Sequence, residues 1–336
     1  MTEYLFRPEV VRVALVVGVV VSVLFYERVQ LTTGGAVVPA YLAISLPAPL
    51  HVLSTLLAGF GAYLLVSVVL SRRLIVYGRR KFELEVLAGL VLVALLSSAA
   101  ALLDDVDPAL AGVAALGYLV PGVIAHDMSR QRPGRTLFAV AVTTVVLGAV
   151  VYLYASLLAI SPLRDEPLDD LAALTAYPPE LTLPAAFASV AVGMLVFSRL
   201  GLRSGGFISG AYLAMVAPRW GDIVFALAAA VVTWALVVHV IMPRLLVFGR
   251  RKLSTMVLVG ALVAWTGEVL VATLTAGDHV PWRGLPIMAL MVPALLANDA
   301  QRQGWERTLW GAGLTTVGVL GLVWLSAGVA RLLGWL

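Results

Sequence analysis

The stretch TGGAVVPAYLA at Thr33–Ala43 has a close variant, SGGFISGAYLA, at Ser204–Ala214, 171 residues further along the chain. A second stretch, YGRRKFELEVLAGLV at Tyr77–Val91, matches FGRRKLSTMVLVGAL at Phe248–Leu262 with the same offset and 7 of 15 residues identical. Collinear matches at one offset indicate an internal duplication.

A third pair of stretches completes the duplication. Leu119–Leu137 and Met291–Leu309 share 9 of 19 residues at an offset of 172. We therefore predict two homologous units at residues 1–160 and 181–336, joined by a polar, acidic linker at 161–180.

The composition indicates a membrane protein. Hydrophobic residues make up 61% of the chain and charged residues 12%, whereas soluble domains have roughly 45–50% and ~25%. The mean hydropathy is +0.99. We predict an all-α, polytopic helical bundle in the cell membrane. Since there are no cysteines, disulfides and thiolate metal sites are excluded.

Each unit contains five long apolar runs and one short one. The short segments 34–46 and 205–217 have 13 residues each, which rise only roughly 20 Å as a helix against a hydrocarbon core of ~30 Å. They can cross only as broken, partly extended segments. The ten predicted full spans lie near 10–26, 50–70, 84–103, 109–126, 136–159, 181–198, 221–242, 254–274, 283–298 and 309–333.

The arginines decide whether the short segments cross. If they do, 17 of the 23 basic residues share one face and the two units run in the same direction. If they do not, the units are inverted and the two G-R-R-K motifs lie on opposite faces. Because positive residues concentrate in cytoplasmic loops, we predict that both short segments cross.

A fainter repeat lies within each unit. Val37–Ala40 (VVPA) resembles Leu119–Gly122 (LVPG), and long apolar runs flank both. Each unit is then two three-segment halves of opposite direction, whose proline-bearing segments meet near the midplane, as in many transporters.

The repeated G-R-R-K motifs, at Gly78–Lys81 and Gly249–Lys252, have two interpretations. They are topology anchors that contact lipid phosphates, or they form a rim that docks a partner or gathers a polyanion. Asp127 and Asp299 lie near further arginines, which suggests surface ion pairs at helix ends. The predicted rim comprises Arg79, Arg80, Lys81, Arg130, Arg132, Arg135, Arg250, Arg251, Lys252, Arg302 and Arg307.

The glycine- and proline-containing segments also have two interpretations: close-packing sites for helices, or the lining of a path through the membrane. Glu268, in an apolar run, is a functional candidate because carboxylates at membrane depth are costly. The path candidates are Glu27, Gly34, Gly35, Pro39, Tyr41, Pro121, Gly122, Gly205, Gly206, Tyr212, Pro293 and Glu268.

The sequence contains no motif for a self-contained active site. It lacks a Walker A motif, a G-x-S-x-G motif and paired metal-ligating carboxylates, and its histidines lack metal-ligand spacing. We expect no catalytic residue, cofactor or metal in this chain, and no nucleic-acid partner. In a membrane protein an excess of arginine is first of all a determinant of topology, so composition alone identifies no ligand.

The motifs of unit one resemble the PgsC/CapC family, the small membrane subunits of poly-γ-glutamate capsule synthases. The resemblance rests on F-Y-E-R at Phe25–Arg28, G-G-A-V-V-P-A-Y-L at Gly34–Leu42, Y-G-R-R-K-F at Tyr77–Phe82, L-V-P-G-V-I-A-H-D at Leu119–Asp127 and R-Q-R-P-G at Arg130–Gly134. Unit two departs from the pattern at Ser198, Gly210 and Ala294, so the chain resembles a fused, unequal pair.

The resemblance implies a membrane subunit that anchors a cytosolic, ATP-dependent ligase of the Mur-ligase type and assists extension or export of an anionic polymer. ATP and Mg²⁺ would then bind to the ligase, and an accessory capsule subunit is a further expected partner, besides membrane lipids. Two alternatives remain open: an autonomous secondary transporter of a small anion or amino acid, and a purely structural scaffold.

The predicted topology can be tested with accessibility labels. Labels inserted after Lys81 and after Lys252 should report the same compartment, because the crossing segments keep the two units in one orientation. Labels that report opposite compartments would disprove the crossing of the short segments.

Overall fold

In the computed structural model, the chain divides into two compact units, Met1–Glu166 and Pro167–Leu336. The structure describes residues 8–102, 119–160, 181–245, 247, 249–277, 279–281 and 286–332. The predicted linker at 161–180 lies outside the described residues.

Unit one contains six helices among these residues. They are α1 (Pro8–Val29), α2 (Val38–Ile44), α3 (Pro49–Tyr63), α4 (Gly78–Leu102), α5 (Val120–Gln131) and α6 (Pro133–Ile160). Helix α3 continues through a π-helical turn at Leu64–Val69 and a 3₁₀ turn at Leu70–Arg72.

Unit two repeats this order. Its helices are α7 (Thr182–Leu200), α8 (Gly206–Met215), α9 (Trp220–Ala235), α10 (Gly249–Leu274), α11 (Pro286–Gln303) and α12 (Trp305–Leu332). Helix α9 continues through a π-helical turn at Leu236–Ile241 and a short helix at Met242–Leu245. The π-helical turn therefore recurs within one residue of the corresponding position in the second unit.

Eight helices of the described part are long and apolar enough to cross a membrane: α1, α3, α4, α6, α7, α9, α10 and α12. The predicted class, an all-α polytopic membrane protein, is confirmed. Of the two other predicted spans, residues 109–118 lie outside the described part. Helix α11 extends past the predicted end at residue 298, because the residues that follow, Ala300–Gln303, favour helix.

The short segment of unit one runs through the bundle beside α6. Near the start of α6, the Gln131 amide bonds to the Thr32 carbonyl oxygen at 2.6 Å and to the Thr136 hydroxyl at 3.0 Å. Twelve residues further along α6, a Cβ on Gly148 would meet Leu46. Twelve helical residues rise about 18 Å. The segment therefore passes inward as a non-helical stretch, with bends at residues 34–37, followed by the short helix α2. Its crossing of the membrane stays a prediction.

Each unit consists of two halves with matching contacts. Helix α2 packs against α1 and α6, and α5 packs against α4 and α3. In unit two, α8 packs in the same way against α7 and α12, and α11 against α10 and α9. Exchanging the first and last three helices of a unit reproduces these contacts, which agrees with the fainter internal repeat.

The proline of the short segment sets where its helix begins. Pro39 lies in the first turn of α2, where its missing N–H costs no helical hydrogen bond. Gly210 replaces this proline in unit two, and α8 begins earlier and has 10 residues instead of 7.

Glycines allow the broken helices to approach their neighbours closely. A Cβ on Gly122 of α5 would lie 2.3 Å from Cα of Val86 on α4, and one on Gly89 would lie 2.7 Å from the Gly122 nitrogen. In unit two, Gly260 faces Ala294 in the same way. The second unit thus tolerates one methyl group where the first tolerates none.

Gly122→Ala should destabilise the protein by ~1–3 kcal/mol, because the added methyl group overlaps the backbone of α4. Gly134→Ala is the matched control, since nothing lies within 4 Å of the added Cβ. Thermal unfolding in detergent, followed by size-exclusion chromatography, measures both. Equal midpoints for the two variants would show that α4 and α5 do not pack through this glycine.

Candidate functional site

Two side chains of α5 hold the loop that joins α1 to α2. Asp127 Oδ2 accepts a hydrogen bond from the backbone N–H of Gly34 at 2.9 Å. Gln131 Oε1 accepts one from the N–H of Thr32 at 2.7 Å, and its amide donates to the carbonyl oxygen of the same residue. Asp127 is 1% exposed. We call Asp127 and Gln131 the clamp of unit one.

Unit two contains the same clamp. Asp299 Oδ2 accepts from the N–H of Gly205 at 3.1 Å. Gln303 accepts from the N–H of Arg203 at 3.0 Å and donates to its carbonyl oxygen at 2.8 Å. The guanidinium of Arg203 also lies 3.9 Å from Asp299. The clamp is therefore a feature of both units.

The clamped loop requires glycine. Gly34 and Gly35 have φ angles of 77° and 102°, and Gly205 and Gly206 have 78° and 82°. Side chains disfavour this left-handed region. A Cβ on Gly205 would also lie 2.5 Å from the Leu296 side chain. The glycine pairs thus let the backbone turn where the clamp carboxylate can reach its N–H.

The interpretation of Asp127 and Asp299 as surface ion pairs is wrong in one respect: both carboxylates are buried. They bond to backbone amides that would otherwise lack partners in an apolar surrounding, where an unsatisfied N–H is costly. The sequence held a signal for this role, because D-x-x-R-Q recurs at Asp127–Gln131 and Asp299–Gln303.

A second buried polar group occurs in unit one and was missed by sequence reasoning. Glu85 of α4 is fully buried. Its carboxylate accepts from Ser67 Oγ at 3.0 Å, lies 2.7 Å from His126 Nδ1 and 3.8 Å from Lys81 Nζ. Since Ser67 belongs to the π-helical turn of α3 and His126 to α5, Glu85 links three helices.

The first glutamate of the same stretch is also engaged. The Glu83 carboxylate is 2.7 Å from Arg79 Nε and nearly buried. Two cations of the first G-R-R-K motif, Arg79 and Lys81, therefore have acidic partners on their own helix. Only the i, i+4 spacing in R-R-K-F-E-L-E could have signalled this.

Unit two replaces this group with different residues. Met256 stands at the position of Glu85, Asn298 at that of His126 and Ser254 at that of Glu83. Met256 is fully buried. Lys252 Nζ, the counterpart of Lys81, donates to the Gln301 side-chain oxygen instead. The units thus share the clamp but differ in the charges beside it.

Most of the predicted rim is exposed. In each unit, the clamp brings the end of the first helix close to the end of the fifth helix and the start of the sixth. The fourth helix of each unit also begins here, because Glu85 of α4 contacts α5 and Lys252 of α10 contacts α11. The side chain of Arg250 lies outside the described part. The exposed members are Arg80, Arg130, Arg132, Arg135, Arg251, Arg302 and Arg307, with Arg79 and Lys81 partly exposed and Lys252 buried.

The path candidates lie mainly in packed interiors. Glu27 is partly exposed near the end of α1, whereas Pro39, Pro121, Gly122 and Pro293 are buried. Within unit one the surrounding core is apolar and consists of Val38, Tyr41, Leu42, Ile124, Met128 and Val140. These contacts correspond to the close-packing interpretation. A path lined by these residues stays a prediction.

Polar residues also gather at the far end of the short helices. Tyr41 of α2 hydrogen-bonds to His51, in the first turn of α3. In unit two, Asp222 takes the position of His51 and lies 3.2 Å from His279 Nε2 and 3.5 Å from Arg219 Nε.

Glu268 is buried in α10 of unit two. Its role as a functional residue stays a prediction. In the described residues, no three His, Cys, Asp or Glu side chains form a metal-binding group.

Comparison with known proteins gives one family. The model of the family described as Capsule biosynthesis CapC matches the chain twice, at residues 17–137 and 188–309. The "PGA biosynthesis protein CapC" of Bacillus subtilis is 32% identical over 143 residues, 42% of this chain and 93% of the relative. The "Capsule biosynthesis protein CapC" of Bacillus anthracis is 35% identical over 119 residues, 35% of this chain and 78% of the relative. No solved structure matches the chain.

The clamp predicts a large difference between neighbouring substitutions on α5. Asp127→Ala leaves the N–H of Gly34 without its buried acceptor and should destabilise the protein by ~1–3 kcal/mol. Arg130→Ala, at an exposed position one turn away, should change stability by less than ~0.5 kcal/mol. Thermal unfolding in detergent measures both, and equal losses would restore the surface ion-pair interpretation.

Proposed function

The chain belongs to the CapC family of capsule biosynthesis proteins, and we propose from this membership that it is the membrane subunit of a capsule polymer synthase. The observation that carries the proposal is the double match of the family model, one in each unit. The two relatives carry names that refer to capsule or PGA biosynthesis. The chain thus supplies, in one polypeptide, two copies of the family's unit.

We further propose that the polymer is poly-γ-glutamate or a related amide-linked polyanion, made by a cytosolic ligase that this chain holds at the membrane. Forming an amide bond from a carboxylate requires activation, for which a Mur-type ligase would use ATP and Mg²⁺. The residues of this chain suit anchoring. They offer exposed arginines for docking, such as Arg80, Arg130 and Arg302, and arginine forks bind carboxylates and phosphates well.

Electrostatics favour an anionic polymer. Basic residues gather at one end of each unit, where the clamp joins the helix ends. Such a field raises the local concentration of a polyanion and weakens as the ionic strength rises. As the second part of the role, we propose that the chain assists extension or export of the polymer.

One observation favours the alternative of an autonomous transporter. Unit one has two halves with matching contacts and a short helix in each, and the predicted inversion of these halves is the arrangement of many secondary transporters. Against it, the seam between the broken helices of unit one is filled: Gly34, Gly59 and Gly122 abut Ile124 or Val86 so closely that no Cβ would fit without displacement. A substrate at that seam would have no room.

A host that lacks its own CapC protein and carries a Mur-type ligase tests the proposal. The full chain should co-purify with the ligase and restore polymer, and reversing the exposed charges of both motifs (Arg80→Glu with Arg251→Glu) should abolish both effects. Reversal at Arg72 and Arg73, exposed residues at the end of α3, is the control with equal charge change.

Three outcomes separate the candidates. Loss of ligase binding with the motif variant but not with the control supports a docking rim. Unchanged polymer output with both variants supports a structural scaffold. Exchange of labelled glutamate by the lone chain in liposomes, with no ligase bound, would overturn the proposed function in favour of a transporter.

A further inference from the structure

The corner between α5 and α6 needs a positive φ angle, and in unit one an arginine adopts it. Arg132 has a φ of 80° and a ψ of 140°. Its counterpart in unit two is Gly304, between α11 and α12, with a φ of 87°. The two carbonyl oxygens have the same role: Arg132 accepts from the N–H of Thr136 at 3.2 Å, and Gly304 accepts from that of Thr308 at 3.2 Å. The fold therefore sets this conformation, whichever residue stands there.

Arginine is a costly residue for this corner. At positive φ a side chain is tolerated mainly in the left-handed helical region, where ψ is about 47°, whereas the ψ of Arg132 is 140°. Backbone angles of this kind are almost confined to glycine. Pro133 favours an extended ψ in the residue before it but does not cause the positive φ, because Gly304 has nearly the same φ with Trp305 after it. Unit one thus keeps an arginine where unit two has the residue that the backbone prefers.

A second residue of unit one has a positive φ for which its side chain gives a local reason. Gln30, at the end of α1, has a φ of 59°, and its counterpart Gly201 has 67°. The side-chain amide of Gln30 donates to the carbonyl oxygen of Glu27 at 3.3 Å and so caps its own helix. The side chain of Arg132 is exposed instead, where it can contact a partner.

We propose that the cytosolic ligase binds to unit one through Arg132, whose guanidinium pairs with an acidic side chain of that partner. The proposal rests on the proposed function for the identity of the partner. Strained backbone is typical of functional sites, where the surrounding structure holds a residue in an unfavourable conformation. Unit two, which has Gly304 at this corner, does not bind the ligase in this way.

The corner is held firmly, which suits a protein partner better than a moving polymer. Gln131, beside Arg132, bonds to the N–H and the carbonyl oxygen of Thr32 at 2.7 and 2.6 Å and to the hydroxyl of Thr136 at 3.0 Å. These bonds fix the backbone from which the arginine projects. Arginine is enriched among the residues that dominate protein interfaces, and its fork binds a carboxylate in a defined geometry. A polymer that moves past the protein needs contacts of looser geometry.

Binding of a purified Mur-type ligase to the full chain, in nanodiscs of zwitterionic lipid, tests the site. Arg132→Gly should weaken binding about thirtyfold, as expected for a residue that dominates an interface. The same variant should raise the thermal unfolding midpoint by roughly 2–4 °C, because glycine relieves the backbone strain. A variant that is more stable and yet binds more weakly has lost a contact and not its fold.

Gln30→Gly is the matched control, because it also replaces a residue at positive φ in unit one by the glycine of unit two. It should change ligase binding by less than about twofold. Arg132→Gly combined with Gly304→Arg moves the arginine to unit two and keeps the net charge. This double variant should bind as weakly as Arg132→Gly, because the contact belongs to the corner of unit one.

Four results would overturn the proposal. The first is an Arg132→Gly variant that binds the ligase as tightly as Gln30→Gly does, and the second is an unfolding midpoint of Arg132→Gly no higher than that of the wild type. The third is wild-type binding by the double variant, which would show that net charge matters and position does not. The fourth is an Arg132→Gly variant that binds the ligase normally but has lost binding to a poly-γ-glutamate oligomer or to phosphatidylglycerol nanodiscs.

The wild-type chain separates this inference from the proposed function. If the wild type binds the ligase and restores polymer in the host, and Arg132→Gly does both equally well, only the inference is wrong. If the wild type binds no Mur-type ligase and restores no polymer, the proposed function is wrong.

Discussion

Backbone amides inside an apolar bundle must find partners within the protein, because lipid offers none. Helices satisfy this requirement by themselves, but a non-helical loop with left-handed glycines precedes each short helix of this chain. Asp127 and Gln131 in unit one, with Asp299 and Gln303 in unit two, supply the missing hydrogen bonds. The conformation of the loop before each short helix therefore depends on these side chains.

The close approach of the helices has the same origin. A short helix that ends within the bundle must be covered by its neighbours, and small residues allow this coverage. Gly122 against Val86 and Gly260 against Ala294 place helix backbones almost in contact. Dense packing of this kind stabilises a rigid unit, which suits the anchoring of a partner better than the alternating movements of a transporter.

Duplication has allowed the two units to diverge in charge while the clamp stayed the same. Unit one pairs its partly exposed Lys81 with the buried Glu85, and unit two replaces this glutamate with Met256. A buried ion pair contributes little net stability, because desolvation of the charges offsets their attraction. The replacement is therefore compatible with the fold.

The sequence by itself determined the duplication, the helical membrane class, the family resemblance and the broken nature of the short segments, because repeats, apolar runs and Gly/Pro motifs are local patterns. Only the tertiary structure decided what the polar residues do. Asp127 and Gly34 are 93 residues apart, and Glu85 looks like one end of an ordinary surface i, i+4 pair until α3 and α5 cover it. Burial and contact between distant segments arise from packing in three dimensions, which no local pattern encodes.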